Sequence, residues 1–301
     1  MNLEVKNVCK SFGKKEVLKN VSFRAESGKA FGLLGRNGAG KTTALRIIMG
    51  VFPSDSGEVT VDGDPIERSN VRIGYLPEER GLYPKKKIID QLVYFAMLKG
   101  MKKSDAITSV DYWLGRLGMT EYRGKKLETL SKGNQQKIQL ITAIAHSPDM
   151  IILDEPFSGL DPVNAILLKD VVRELIEKNK LVLFSSHQMS YVEEFCDDIA
   201  IINNGGIALC GDLLSIKKNT ARDKLVVRSS EYEKIAYEFR GATTLEKKEE
   251  VVLTLDDPSD KQRVMKEVAE RFDVDEIKVF EPKLNDIFVK YAGDGKRGWD
   301  E

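Results

Sequence analysis

The chain has 301 residues, 42% of them apolar and 31% charged, the balance of a globular protein with room for one large domain and a small one. Basic and acidic residues balance at 47 each, so the formal net charge is zero and nothing points to a general affinity for nucleic acid or anionic lipid. Cys9, Cys196 and Cys210 are scattered without metal-ligand spacing, as reduced thiols of a cytosolic protein would be. No apolar core of a signal peptide follows Met1, and no apolar run nears the roughly 20 residues that cross a bilayer. Work at a membrane would therefore require another chain to supply the membrane part.

In chain order, Leu3, Val5 and Val8, then Leu18, Val21 and Phe23, alternate with polar residues. That is the period of half-buried strands, with Phe12-Gly13-Lys14-Lys15 as the turn between them. The apolar run 29–34 reads as a further strand and leads into Gly35-Arg36-Asn37-Gly38-Ala39-Gly40-Lys41-Thr42-Thr43, with a helix expected over 43–49. Glycine, four residues, then Gly-Lys-Thr is the spacing of a phosphate-binding loop. A strand, a glycine-rich turn and a helix N-terminus aim backbone N–H groups and the positive end of a helix dipole at one point. Glycine is needed where a Cβ would block the approach of phosphate oxygens. Lys41 can then reach β- and γ-phosphates, and the Thr42 hydroxyl can ligate Mg²⁺. Spacing, flanking elements and the Lys-Thr ending together separate this stretch from an ordinary glycine turn, so the chain reads as a nucleotide-binding protein.

Beyond a break at 53–57, strands are expected over 58–61 and 71–75. From 87 to 147 the apolar residues recur at helical spacing and strand signals vanish, which predicts a helical subdomain inserted in an α/β framework. Here Lys85-Lys86-Lys87 reads as a solvated face and His146 as a structural histidine. Met150-Ile151-Ile152-Leu153 is a buried parallel strand by its continuous apolar character, and it ends in Asp154-Glu155. Ligands bind at the C-terminal edge of such a sheet. Asp154 is placed to hold Mg²⁺, and Glu155 to polarise a water for attack on a γ-phosphate.

A helix over 162–178, a strand over 181–184, a short helix over 189–195 and strands over 199–202 and 207–209 complete the first domain, placed at 1–220. A small α+β domain is expected over 221–292, with strands over 224–228, 251–255 and 277–280 and helices over 235–239, 261–272 and 284–291. Glu246-Lys247-Lys248-Glu249-Glu250 reads as a hairpin or loop surface, and the polar tail 293–301 as disordered.

Several ordered motifs over residues 1–220 make the chain resemble the ATP-binding subunit of an ABC transporter. Leu130-Ser131-Lys132-Gly133-Asn134-Gln135-Gln136 is similar to the family signature, Ser158-Gly159-Leu160-Asp161 to the D-loop, and His187 to the switch histidine. The resemblance implies a P-loop cassette with an antiparallel β subdomain and a helical subdomain, binding ATP and Mg²⁺. It implies that Phe12 stacks on adenine, and that Gly35, Asn37, Gly38, Ala39, Gly40, Lys41, Thr42 and Thr43 hold the phosphates. His187 would donate to the γ-phosphate. Ser131, Gly133, Asn134 and Asp161 would complete the site of a second ATP-binding subunit, most simply an identical one, because the family closes two cassettes head to tail around two ATPs.

Two motifs depart from the family pattern. The signature carries Lys132 and Asn134 where Gly and Gln are usual, and Glu78 replaces the Q-loop glutamine in Tyr75-Leu76-Pro77-Glu78-Glu79. A carboxylate there can still bind Mg²⁺ while adding negative charge near the phosphates. The variant loop and the ending Glu281-Pro282-Lys283-Leu284-Asn285-Asp286-Ile287-Phe288 resemble a narrower branch, the ATP-binding subunits of ABC-2-type exporters, including those described as sodium-efflux pumps. That resemblance implies a separate transmembrane permease as partner, and a peripheral place on the inner face of the cell membrane. The alternative is a soluble ABC ATPase acting on ribosomes or DNA. It fits less well, because the chain has one cassette, a helical insert of ordinary length and no basic surface signal. A P-loop kinase or GTPase would lack the signature and the switch histidine.

Overall fold

A computed structural model describes all residues except 80, 158–159, 221–222, 240–242, 246–248 and 293–301. The first half of the D-loop, the first three residues of the hairpin or loop surface expected at 246–250 and the expected disordered tail therefore lie outside the described residues.

The chain opens with β1 (Asn2–Phe12) and β2 (Lys15–Glu26), paired antiparallel with Phe12 opposite Lys15 across the turn. Leu3, Val5, Val8, Leu18 and Val21 are buried, as the alternation requires. The fully buried β3 (Ala30–Leu34) leads through the glycine-rich loop to α1 (Lys41–Ile48). Next come β4 (Ser56–Val61), β5 (Asp64–Pro65) and β6 (Ile73–Leu76). The helical insert consists of α2 (Ile88–Leu98), α3 (Lys103–Arg116) and α4 (Lys132–Ile144). After it run β7 (Met150–Asp154), α5 (Pro162–Glu177), β8 (Leu181–Ser186), α6 (Met189–Phe195), β9 (Asp198–Asn203) and β10 (Gly206–Asp212).

These strands form two sheets. One is four-stranded, in the order β2-β1-β4-β5, and its pairings are antiparallel. The other has the order β10-β9-β3-β8-β7-β6 and is parallel except at its β10 edge. Every residue of β3, β7 and β8 is buried, which is why these strands read as unbroken apolar runs instead of alternating ones. The parallel arrangement brings the C-terminal ends of β3, β6, β7 and β8 to a single edge, and the register sets Asp154 beside Ser185. The outer helical layer comes close at one point. A Cβ on Gly74 in β6 would lie 2.0 Å from the Ala143 carbonyl oxygen of α4.

The remaining elements are α7 (Leu213–Thr220), β11 (Lys224–Arg228), α8 (Tyr232–Glu238), β12 (Thr243–Leu245), β13 (Glu250–Thr254), α9 (Lys261–Arg271), β14 (Glu276–Val279) and α10 (Leu284–Ala292). They include an antiparallel sheet in the order β12-β13-β11-β14, whose core takes in Leu225, Val227, Ile235, Val251, Leu253 and Val268. The chain divides into two compact units: Met1–Leu213 with the stretch from Phe288, and Leu214–Ile287. The division falls ahead of the boundary expected after residue 220, because most of α7 belongs with the second unit.

Candidate functional site

The loop between β3 and α1 is shaped by glycine. Gly38 and Gly40 have φ of +80° and +114°, in the region that side chains with a Cβ avoid. At Gly40 space is short as well, since a Cβ would stand 2.6 Å from Leu18 Cδ2 and 3.0 Å from the Val17 carbonyl. Lys41 follows, 7% exposed, and its Nζ donates to the carbonyl oxygens of Gly35 at 2.7 Å and Arg36 at 3.4 Å. Burial lowers its pKa, while the charges of Glu155, Asp154 and Glu78 act in the opposite sense.

At the end of β7 both acids are nearly sealed, Asp154 at 3% and Glu155 at 4% exposure. Burial of two carboxylates requires donors, and β8 supplies them. Ser185 Oγ donates to Asp154 Oδ1, and Ser186 Oγ donates to Glu155 Oε2 at 3.2 Å. Tyr75 on β6 donates its hydroxyl to Asp154 Oδ2 at 3.4 Å. Its phenol pKa is pushed up to about 12, first by burial and then by the charge of Asp154, so it stays a donor. Glu155 is held at φ +50°, an uncommon conformation for a residue with a Cβ, and its N–H donates to the Ser185 carbonyl at 3.0 Å. The Nδ1 atom of His187, just beyond β8, lies 2.8 Å from Glu155 Oε1.

The loop and the two acids share one cavity of about 320 Å³, lined by Asn37, Gly38, Gly40, Lys41, Thr42, Thr43, Glu78, Asp154 and Glu155, while His187 touches Glu155 from outside that lining. Lys15, Val17 and Arg36 also line it and were not singled out from the sequence. Arg36 sits at a variable position of a motif that was otherwise recognised. No local pattern marks Lys15 and Val17, because only the fold of β2 over the loop brings them there. Gly35 and Ala39 belong to the loop but not to that lining, and a Cβ on Gly35 would meet the Ile202 carbonyl oxygen at 2.6 Å.

The other expected site residues stand outside the cavity within one chain. Phe12 is 50% exposed, with its ring edge-on to Phe52 at 5.5 Å. Ser131 caps α4, its Oγ accepting from the Asn134 N–H at 3.3 Å. Asp161 caps α5 by accepting from the N–H groups of Val163 at 3.1 Å and Asn164 at 3.0 Å. The Asn164 N–H, foremost, holds the Asp161 carboxyl below its usual range. Gly133 faces the start of α5, where a Cβ would lie 2.8 Å from Asn164 Nδ2.

Two further residues of α4 tie the signature helix to the cavity walls. Gln139 Nε2 donates to the carbonyls of Pro77 at 3.2 Å and Glu79 at 2.9 Å, on either side of Glu78. Gln136 Nε2 donates to the Pro156 carbonyl at 2.6 Å, next to Glu155. Gln139 lies outside the sequence motif and gave no signal of its own. His146 is buried, with Nε2 3.3 Å from the Ile73 carbonyl oxygen, and burial pushes its pKa down to about 4. It takes no part in the cavity.

Among the described residues no group of three or more His, Cys, Asp or Glu side chains could hold a metal ion by itself. No helix among them is long and apolar enough to cross a membrane. The three cysteines are free thiols.

A family model described as ABC transporter matches residues 18–158, and one described as the ATP-binding protein DrrA1-3-like C-terminal domain matches residues 211–292. The chain is 40% identical over 293 residues to the uncharacterized ABC transporter ATP-binding protein YhaQ of Bacillus subtilis, covering 97% of this chain and 98% of that one. It is 34% identical over 228 residues to the linearmycin resistance ATP-binding protein LnrL of the same organism, covering 74% and 73%. A solved structure of an ATP-binding subunit of an ABC transporter superposes with a TM-score of 0.67 at 28% identity, covering 73% of this chain and 93% of that chain.

Proposed function

This chain belongs to the ATP-binding proteins of ABC transporters, which bind and hydrolyse ATP, and we propose that it drives export through a separate ABC-2-type permease. It would do so as one of two identical subunits closed head to tail, held at the inner face of the cell membrane by that permease. The observation that carries the reading is the single cavity in which Lys41 and the loop meet Asp154, Glu155 and Glu78 at the edge of a parallel sheet. The C-terminal family match and the relative described as a linearmycin resistance protein support the export branch.

Each residue has a chemical reason for its role. The loop N–H groups and Lys41 bind the β- and γ-phosphates, the lysine as a charge held ready by two carbonyls. Glu155 is the base that orients and polarises the attacking water, with its carboxylate steered by Ser186 and His187. With Nδ1–H of His187 turned to Glu155, Nε2 donates to a γ-phosphate when both ring nitrogens carry a proton. Thr42, Asp154 and Glu78 present a hydroxyl and two carboxylates to one cavity, a hard-oxygen set suited to Mg²⁺ shared with phosphates. When bound, that ion would offset charge building on the phosphate oxygens. Phe12 stacks on adenine, while Ser131, Gly133, Asn134 and Asp161 serve the partner's nucleotide.

The test is to purify the tagged full chain from its own cells in mild detergent and assay the preparation for ATP hydrolysis. Recovery of a polytopic membrane protein, in a complex whose hydrolysis is lost on changing Glu155 to Gln, is the expected result. Recovery with ribosomal particles or DNA and without a membrane protein would overturn the transport reading.

A further inference from the structure

A second cavity, of about 820 Å³, lies within the Leu214–Ile287 unit and shares no residue with the nucleotide-binding cavity. Three short stretches line it. The helix α7 supplies Leu214, Lys217 and Lys218, the turn before α9 and its first residue supply Pro258, Ser259 and Lys261, and the end of β14 supplies Val279, Phe280 and Glu281.

Its charge is unbalanced. Of the three lysines, Lys217 pairs with Glu281 at 2.8 Å, and that contact holds the Glu281 carboxyl below its usual range, with the nearby charge of Lys218 adding to the effect. Among the described residues Lys218 and Lys261 have no carboxylate partner. Lys261 opens α9, an eleven-residue helix whose N-terminal end adds positive potential. Apolar surface lies beside these cations, for Leu214 is 61% and Val279 40% exposed. The volume falls in the range of small-molecule sites, roughly 300–1,000 Å³.

We propose that this cavity binds a small amphipathic organic anion, a carboxylate or phosphate carried on a short apolar chain. Lys218 and Lys261 grip the anionic head by charge-assisted hydrogen bonds, and Leu214, Val279 and Phe280 cover the tail. A free anion and the headgroup of an anionic lipid share this chemistry.

The probe is octyl phosphate, titrated calorimetrically into the full chain with saturating ATP and Mg²⁺ present, beside inorganic phosphate and octanol. One site per chain is expected, tighter for octyl phosphate than for either part of it. The double substitution K218A/K261A should weaken it by about tenfold or more, through loss of two charged donors, while ATP affinity stays unchanged. Leu214→Ser should instead reduce the preference for octyl phosphate over inorganic phosphate. Sedimentation with phosphatidylglycerol vesicles separates the sources. Vesicle binding that is lost in K218A/K261A adds the lipid form, and its absence beside octyl phosphate binding leaves the free anion. Vesicle binding without octyl phosphate binding overturns the proposal, as does octyl phosphate binding that ATP displaces or that K218A/K261A leaves intact.

Discussion

Glu155 carries three unusual features for a glutamate: 4% exposure, a φ of +50°, and two side-chain neighbours, Ser186 and His187, that act on its carboxylate. A conformation this uncommon persists only where surrounding contacts impose it, and here the Ser185 carbonyl takes its N–H. The geometry fixes where its carboxylate points. Glu155→Gln keeps the shape and removes the basicity, so ATP binding should persist while turnover drops by ~10²–10⁴. Calorimetry paired with a steady-state phosphate-release assay decides this, and near-normal turnover would remove Glu155 from the role. His146 allows a prediction about stability. Its pKa lies at about 4 in the folded chain against an ordinary 6.5, so the unfolded chain takes the proton first as pH falls. Its contribution to stability is therefore complete above pH 6.5 and is lost as pH drops toward 4. The thermal midpoint of His146→Gln should consequently fall less than that of the parent chain between those pH values, and parallel curves would refute the assignment. Asp154 and Glu155 were legible in the sequence because an apolar run ending in two acids is a local pattern. Ser185, Ser186 and Tyr75 were not, because strand register alone makes them partners of those acids.

Elements were more legible than contacts. Strands β3 and β7 and helices α5 and α6 begin or end within a residue or two of where periodicity places them, since buried runs and helical spacing are written along the chain itself. The three-residue β12 was missed, being too short to show a period. The spacing between helix and sheet was not legible either, and it depends on Gly74. With a Cβ there only 2.0 Å from the Ala143 carbonyl oxygen, β6 and α4 would have to part. Gly74→Ala should destabilise the chain by about 1–3 kcal/mol, the usual range for overpacking a close contact. Because Gln139 of α4 holds the backbone around Glu78, the same displacement should weaken Mg²⁺-dependent ATP binding as well. Chemical denaturation measures the first effect and calorimetry the second. A variant as stable as the parent would mean that α4 is free to shift, against the reading of a tight layer.

At the scale of the whole molecule, one chain brings only some of the expected site residues into one cavity. The cavity walls come from β2, the glycine-rich loop, α1 and the ends of β6 and β7, and the start of α4 contributes nothing to them. Yet Ser131 stands exposed at that helix start, its cap formed and its hydroxyl accessible. The motif that resembles the family signature thus lies at an N-terminus capable of binding an anion but away from its own chain's phosphates. In the head-to-tail pair proposed above, Ser131 of each chain would lie over Lys41 of the other, which would resolve the mismatch. Ser131→Arg should block the start of α4 with a bulky cation, and Lys41→Ala should remove the charge that faces the phosphates. Each purified variant should be inactive alone. In a mixture, the hybrid pair would hold one site carrying both defects and one carrying neither, so hydrolysis should reappear and rise with the product of the two concentrations. If mixtures remain inert although cross-linking shows that the two variants associate with ATP present, the site is not shared between chains, and Ser131 must act within its own subunit.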